Sequence, residues 1–228
     1  MQYLNKPLLP LSKWRLTWLN EKLKMNIGIL GNSPLAKALA ERLSNVGNQV
    51  VFGIQQAEED TRSSFQSFRC PQRYTGYHEA IDQSEVVLIC EENGAFKLVL
   101  DALKEVPTKD KLLIDCTNSN YDQKQVKSNV QILKKSVPDA KVFKAFNNLG
   151  MDYPISDPVG LIRETYYCGD DFSHRAKVKK LIEQMGFKAI FAGEIGNAPL
   201  LEAFYHLRKE ISWNLTEQAN LHFRLVSI

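Results

Sequence analysis

Two periods of apolar and polar positions alternate along this chain. Ile27, Ile29 and Leu30 form a short apolar run that meets a turn at Gly31-Asn32-Ser33-Pro34, and an alanine- and leucine-rich stretch follows directly. The run predicts a buried strand at Asn26 to Leu30. The stretch predicts a helix with Ser33 as N-cap and Pro34 at its first position. Gly47-Asn48 ends that helix, and Gln49 to Gly53 reads as a second strand. Residues 57–75 are polar and irregular, as expected of a long loop beside a short third strand. Further on, a brief helix is predicted at Tyr77 to Gln83 and a buried strand at Val86 to Ile89. Gly94 to Leu103 reads as a helix with Phe96, Val99, Leu100 and Leu103 on one face. A strand at Lys111 to Asp115, a helix around Val126 to Lys135 and a strand at Lys141 to Ala145 continue the series. Thr165 to Cys168, Phe172 to Met185 and Lys188 to Ala192 then read as strand, helix and strand. The last helix is expected from about Ala198 to Leu221.

This βα alternation is what a doubly wound, mostly parallel sheet with helices on both faces requires, so the expected class is α/β and Rossmann-like. Ligands of such sheets lie outside the carboxyl ends of the strands. Five loops therefore point at one crevice: 31–35, 54–56, 90–93, 117–119 and 145–148. The first is the turn of a dinucleotide-binding unit in altered form. In the G-x-G-x-x-G/A frame Gly31 fills the first position, Ser33 the second and Ala36 the third. A helix N-terminus offers unpaired N–H groups and a positive dipole end to a pyrophosphate. Serine departs from the pattern where the backbone must approach the phosphates closely. The plainer reading is a capped helix after a buried strand, with no ligand.

At the tip of the second strand stands Ile54-Gln55-Gln56-Ala57, with neither the acid that holds ribose hydroxyls in NAD-binding proteins nor the Arg that clamps the NADP phosphate. Lys37, Arg62 or Arg69 could substitute, although each also reads as a solvated surface charge.

Charge changes the picture only at the start of the chain. The 228 residues carry a formal +3. Residues 1–24 alone hold Lys6, Lys13, Arg15, Lys22 and Lys24 against Glu21, so the body is nearly neutral and nucleic acid is not an expected partner. This leader also carries Trp14 and Trp18 at i,i+4 spacing, with Ser12 placed to cap a short amphipathic helix that docks on the domain or a partner. A membrane-surface helix is the alternative. Met25, directly before the first strand, is a second candidate start. The expected division is an N-terminal extension at 1–24, a dinucleotide-binding domain at 25–196 and a C-terminal helical segment at 197–228.

Cys70, Cys90, Cys116 and Cys168 are widely spaced, so neither a zinc site nor a disulfide framework is expected. No apolar run reaches the roughly 18 residues of a membrane span, and no signal-peptide pattern is present; the expected compartment is the cytoplasm. Cys90, Cys116 and Cys168 each fall at a predicted strand end, where small buried hydrophobes explain them better than a thiol cluster. His78, His174, His206 and His222 are scattered and read as surface or packing residues. Asp170-Asp171 reads as a cap for the helix that follows.

Taken together, IGILGNSPLAKALAERLSNVGNQVVFG, VVLIC, KLLIDCTNS, VFKAFNNLG and YYCGDDFSHRAKVKKLIEQMGF resemble the deazaflavin-dependent NADP oxidoreductase family. They also resemble the related cytosolic domain of the membrane metalloreductases. The resemblance runs from about Met25 to Phe204, and the D-C-T-N, K-A-F-N and C-G-D-D segments in combination are its most specific carriers. It implies a domain that binds NADP(H) and passes hydride to a flavin or deazaflavin acceptor. No catalytic acid, base or nucleophile is implied, because hydride transfer between two bound rings depends on proximity and orientation. By the family pattern Gly31, Asn32, Ser33, Pro34 and Leu35 hold the pyrophosphate, and Gln55 sits at the adenosine ribose. Cys90, Asn118, Ala145, Phe146 and Asn147 line the nicotinamide half.

The sequence departs from that pattern at Ser33 and at Ile54-Gln55, where relatives tend to have Ser-Arg. Losing an Arg–phosphate contact forfeits roughly 1.5–3 kcal/mol. No membrane half accompanies the domain here, so haem-linked electron transfer is not expected. Three readings stand: an NADP(H)-linked oxidoreductase with a flavin-like acceptor, a non-catalytic descendant that binds a dinucleotide or partners, and an imine or hydroxyacid reductase. The third is ranked last because that class generally adds a large helical domain, unless a homodimer completes the site.

Overall fold

The computed structural model describes residues 24–55, 73–91, 94–120, 128–215 and 220–226. Most of the leader, the long loop with Arg62, Arg69 and Cys70, and Gln56 and Val126 lie outside the described residues. Eight strands form one sheet in the order β3-β2-β1-β4-β5-β6-β7-β8. They are β1 (Asn26–Leu30), β2 (Gln49–Gly53), β3 (Arg73–Thr75), β4 (Val86–Ile89), β5 (Leu112–Asp115), β6 (Lys141–Ala145), β7 (Glu164–Gly169) and β8 (Lys188–Phe191). All neighbours are parallel except β6 and β7, which run antiparallel. A parallel pair needs a crossover, usually a helix. The connection from β6 to β7 is a series of turns without one, so the chain folds straight back.

Helices cover both faces, and the two-residue period of the strands divides the core between them. Ile27 and Ile29 of β1, Val86 and Leu88 of β4 and Leu112 and Ile114 of β5 pack on one side with α1 (Pro34–Asn45) and α5 (Phe172–Gln184). Leu30, Val87, Ile89 and Leu113 pack on the other. There they meet α2 (Tyr77–Asp82), α3 (Phe96–Glu105), α4 (Asn129–Ser136) and α6 (Ala198–Asn214). Two buried faces are why these strands read as continuous apolar runs. The fold is the Rossmann-like α/β class that the alternation predicts.

Three helices have an end displaced from expectation by two residues or more. α3 spans Phe96–Glu105, two residues later than predicted. α4 starts after Ser128, whose hydroxyl accepts from the Val130 N–H while Gln131 reaches back to the Ser128 N–H, a capping box that overrides the apolar Val126 as the starting point. α6 stops at Asn214 instead of continuing to Leu221. The Asn214 side-chain amide donates to the Glu210 carbonyl within its last turn. Residues 220–226 then lie against α6, with Phe223 stacked on Phe204 at 4.4 Å between centroids.

Candidate nucleotide site at the strand ends

The turn after β1 is held by its own chain. Gly31 has φ +113°, and a Cβ there would stand 2.7 Å from the Cys90 carbonyl oxygen, so only glycine fits. The Gly31 N–H donates to the Gly53 carbonyl at 2.9 Å. Ser33 caps α1 as expected, accepting from the Ala36 N–H at 3.2 Å. Its hydroxyl also donates to the Cys90 carbonyl at 3.0 Å, tying the turn to the end of β4. Pro34 has no N–H, and the Leu35 N–H donates to the Met151 carbonyl at 3.0 Å. One donor of the helix N-terminus is thereby taken by the β6–β7 connection. Asn32 is exposed, and among the described residues nothing accepts from the Asn32 and Ser33 N–H groups.

Gln55 stands exposed at the end of β2, as placed from the sequence. Its backbone reaches the Tyr77 hydroxyl, which donates to Glu91 Oε2 at 2.9 Å. Burial, then the Glu91 carboxylate, push the Tyr77 phenol well above its ordinary value. Sequence reasoning sought an acid at the end of β2. A carboxylate, Glu91, comes near from the loop after β4, one residue past Cys90, and only the convergence of the strand ends could have pointed to it.

Asn118 and Asn147 meet across the ends of β5 and β6. Asn118 Nδ2 donates to the Asn147 carbonyl at 2.9 Å, and Asn147 Nδ2 donates to Asn118 Oδ1 at 3.0 Å. Asn147 Nδ2 also donates to the Leu201 carbonyl of α6 at 2.9 Å. Asn147 Oδ1 is a buried acceptor with no partner among the described residues. Phe146 adopts φ +64°, uncommon for a residue with a side chain, and its N–H donates to Thr165 Oγ1 at 3.1 Å. Cys90, Ala145, Phe146 and Asn147 are fully buried, whereas Asn118 is half-buried. Of this expected set, the structure joins Asn118 to Asn147, and Cys90 instead meets the Ser33 turn.

Below this pair lies a polar network that sequence reasoning missed. Lys144, fully buried, places Nζ 2.7 Å from Asp115 Oδ2, 2.6 Å from Glu202 Oε1 and 2.8 Å from the Thr117 carbonyl. Burial works against the Lys144 charge, but the two carboxylates outweigh it and hold its pKa above the usual lysine value. Burial also works against Glu202, and Lys144, Ser119 and Ser128 together bring it below the ordinary carboxylate range. Glu202 further accepts from the Ser119 N–H at 3.1 Å, from the Ser119 hydroxyl and from the Ser128 hydroxyl at 2.5 Å. Asp115 Oδ1 accepts from the Thr117 N–H and hydroxyl at 3.1 and 2.7 Å. The network binds α6 to the ends of β5 and β6. Its signal was present as a lysine and an aspartate inside otherwise apolar strands.

The remaining candidates have structural roles. Cys90, Cys116 and Cys168 are buried, and burial pushes Cys168 up to about 12 and Cys116 well above the ordinary thiol value. Asp171 caps α5 through the His174 N–H at 3.0 Å, and Asp170 accepts from the Ile195 N–H at 2.8 Å. Among the described residues no helix is long and apolar enough to cross a membrane.

Residues 26–119 match the family described as NADP oxidoreductase coenzyme F420-dependent. This is the family that the motifs point to. The matched stretch covers the Gly31 turn and the ends of β2, β4 and β5. The chain is 27% identical over 191 residues to metalloreductase STEAP3 of Rattus norvegicus, covering 83% of this chain and 38% of that protein. It is 24% identical over 179 residues to metalloreductase STEAP2 of Homo sapiens, covering 78% and 35%. It thus spans little more than a third of the length of these relatives. A candidate F420-dependent NADP-reductase from Arthrobacter sp. FB24 has a similar structure, with TM-score 0.70 and 20% identity over 89% of this chain and 100% of that one. An imine reductase from Aspergillus terreus, solved in complex with NADPH4, gives TM-score 0.61 and 16% identity over 83% of this chain and 62% of its own. At these identities the structures show the shared fold.

Proposed function

We propose that this domain of the F420-dependent NADP oxidoreductase family binds NADP(H) across its strand ends. In this reading it works as an oxidoreductase, with hydride passing between the nicotinamide and a flavin- or deazaflavin-type acceptor. The observation that carries the reading is the row of site residues at the carboxyl ends of adjacent parallel strands: Gly31 after β1, Cys90 after β4, Asn118 after β5 and Asn147 after β6. That row is where a dinucleotide lies in a doubly wound sheet. In this reading the Asn32 and Ser33 N–H groups receive the pyrophosphate, Gln55 faces the adenosine ribose and the Asn118–Asn147 pair borders the nicotinamide half. The dinucleotide supplies the hydride, and the protein supplies proximity and orientation.

A second reading, a non-catalytic descendant that binds a dinucleotide weakly or binds partners only, is favoured by one contact. The Leu35 N–H that would face the pyrophosphate is already satisfied by Met151. Titration of the full chain with NADPH and NADH, with and without flavins, separates the two. Saturable NADPH binding with NADPH oxidation on addition of a flavin or deazaflavin supports the first. Absence of nucleotide binding at millimolar concentration overturns it and leaves the second.

A further inference from the structure

β5 ends at Asp115, so Thr117, Asn118 and Ser119 lie past the sheet. Side chains hold their backbone instead. The Thr117 carbonyl accepts from Lys144 Nζ of β6 at 2.8 Å, and the Ser119 N–H donates to Glu202 Oε2 of α6 at 3.1 Å. The Ser119 carbonyl lies 2.9 Å from His206 Nε2, one turn further along α6, so that nitrogen is the donor. Asn118 sits between these clamps, and its own side chain bonds to Asn147.

The Thr117 carbonyl belongs to the peptide plane before Asn118, and the Ser119 N–H belongs to the plane after it. Holding both planes fixes the two backbone dihedrals of Asn118 and with them the direction of its side chain. Lys144 is fully buried, Glu202 is 2% exposed, and the two pair at 2.6 Å. Hydrogen bonds from backbone to a buried ion are stronger than neutral ones, so these planes have little freedom. Next to Glu202, the Leu201 carbonyl accepts from Asn147 Nδ2 at 2.9 Å. Both members of the Asn118–Asn147 pair are therefore registered to the same turn of α6. Asn118 is half-buried, and its amide has one N–H and one lone pair beyond those used in the pair.

We propose that Lys144 and Glu202 are positioning residues for the nicotinamide half of the dinucleotide, acting through the backbone on either side of Asn118 to hold its amide where the ring is received. The role rests on the reading of this crevice as the nucleotide site. It goes beyond fastening α6, because it requires a selective loss of ring binding that a loss of stability does not produce.

Calorimetric titration of the full chain with NADPH and with its nicotinamide-free fragment, 2′-phospho-ADP-ribose, tests it. In Glu202→Gln the NADPH dissociation constant should rise on the order of tenfold, while that of the fragment changes by less than about twofold. Asn118→Ala should show the same selective loss. The double variant should bind NADPH no more weakly than Asn118→Ala, because Glu202 acts through Asn118. Should Glu202→Gln fail to fold, His206→Ala releases the Ser119 carbonyl and should give the same selective loss at roughly threefold. Exchange of the Asn118 side-chain amide protons, read by NMR in the ligand-free chain, should quicken in either variant. Failure of both ligands to bind the parent overturns the nucleotide reading and this role with it. With both bound to the parent, equal losses for NADPH and the fragment, additive losses in the double variant, or unchanged Asn118 exchange overturn the positioning role alone.

Discussion

The two ends of the strand-end row are built on opposite plans. At the β1 end the turn is held by neutral hydrogen bonds, among Gly31, Gly53, Ser33 and Cys90, and one helix donor is already given to Met151. At the β5–β6 end a buried cation between two carboxylates fastens α6 to the loops that carry Asn118 and Asn147. A neutral turn can exchange its few contacts for a ligand at small cost. A buried ion network tolerates no missing member, because each charge depends on the others for compensation. The difference teaches that the recognisable motif marks the adaptable end, whereas the rigid end is set by side chains that belong to no nucleotide fingerprint.

Removing the cation should break this contrast most visibly. Lys144→Ala leaves Asp115 and Glu202 facing each other without compensation, and the expected loss is about 3–5 kcal/mol in chemical denaturation. Glu202→Gln should cost less, since Asp115 still pairs with the lysine. A loss under about 1 kcal/mol for Lys144→Ala would show that the network behaves like a surface pair.

At the other end the largest expected effect is on selectivity. Gln55→Arg should favour NADPH over NADH by roughly 1–3 kcal/mol through a charge-assisted contact to the 2′-phosphate. The ratio of the two affinities measures it. Because Glu91 reaches the Gln55 backbone through Tyr77, Glu91→Gln should add to that preference by removing a carboxylate that opposes the phosphate. An unchanged ratio in both variants would remove the adenosine ribose from the end of β2.

Ser33→Gly restores the second glycine of the fingerprint but loses the hydroxyl that both caps α1 and bonds to Cys90. Glycine replaces a cap at little cost, so the lost Cys90 contact should dominate, at about 1 kcal/mol of stability. The affinities for both nucleotides should shift together, since the change acts at a shared pyrophosphate. Equilibrium unfolding and the two titrations read these effects separately.

The smallest expected effect is one of pH. Glu202 lies below its ordinary value of 4.5 in the folded chain, so its contribution to stability is present above that value and is lost as pH falls through the folded pKa. Lys144 lies above 10.5, so its contribution is present below that value and is lost as pH rises through the folded pKa. In Lys144→Ala the Glu202 carboxylate loses the cation that favours its charged form and gains from protonation. The stability gap between parent and variant should therefore narrow as pH falls from 7 towards 3, and denaturation curves across that range would show a constant gap if the network is not coupled in this way.

Local pattern made the frame of this protein legible in its sequence. Asn26–Leu30, Gln49–Gly53, Val86–Ile89 and Lys141–Ala145 are strands at the predicted bounds, because short runs dominated by apolar residues between turn and helix signals mark buried strands. Ser33-Pro34 marks the start of α1 because capping depends on residues a few positions apart. The capping box at Ser128 was legible by the same rule, though Val126 drew the reading earlier. The sequence alone determined the order of elements, the class of sheet and the loops that gather at one edge. Tertiary structure decided the direction of β7, the gift of the Met151 carbonyl to α1, the arrival of Glu91 beside Gln55, and the meeting of Lys144 with Glu202. Each joins segments remote in sequence, and no local period records which polar side chains will share a desolvated space. Burial then gives such contacts their weight, since a charge that costs little in water needs a partner once water is excluded.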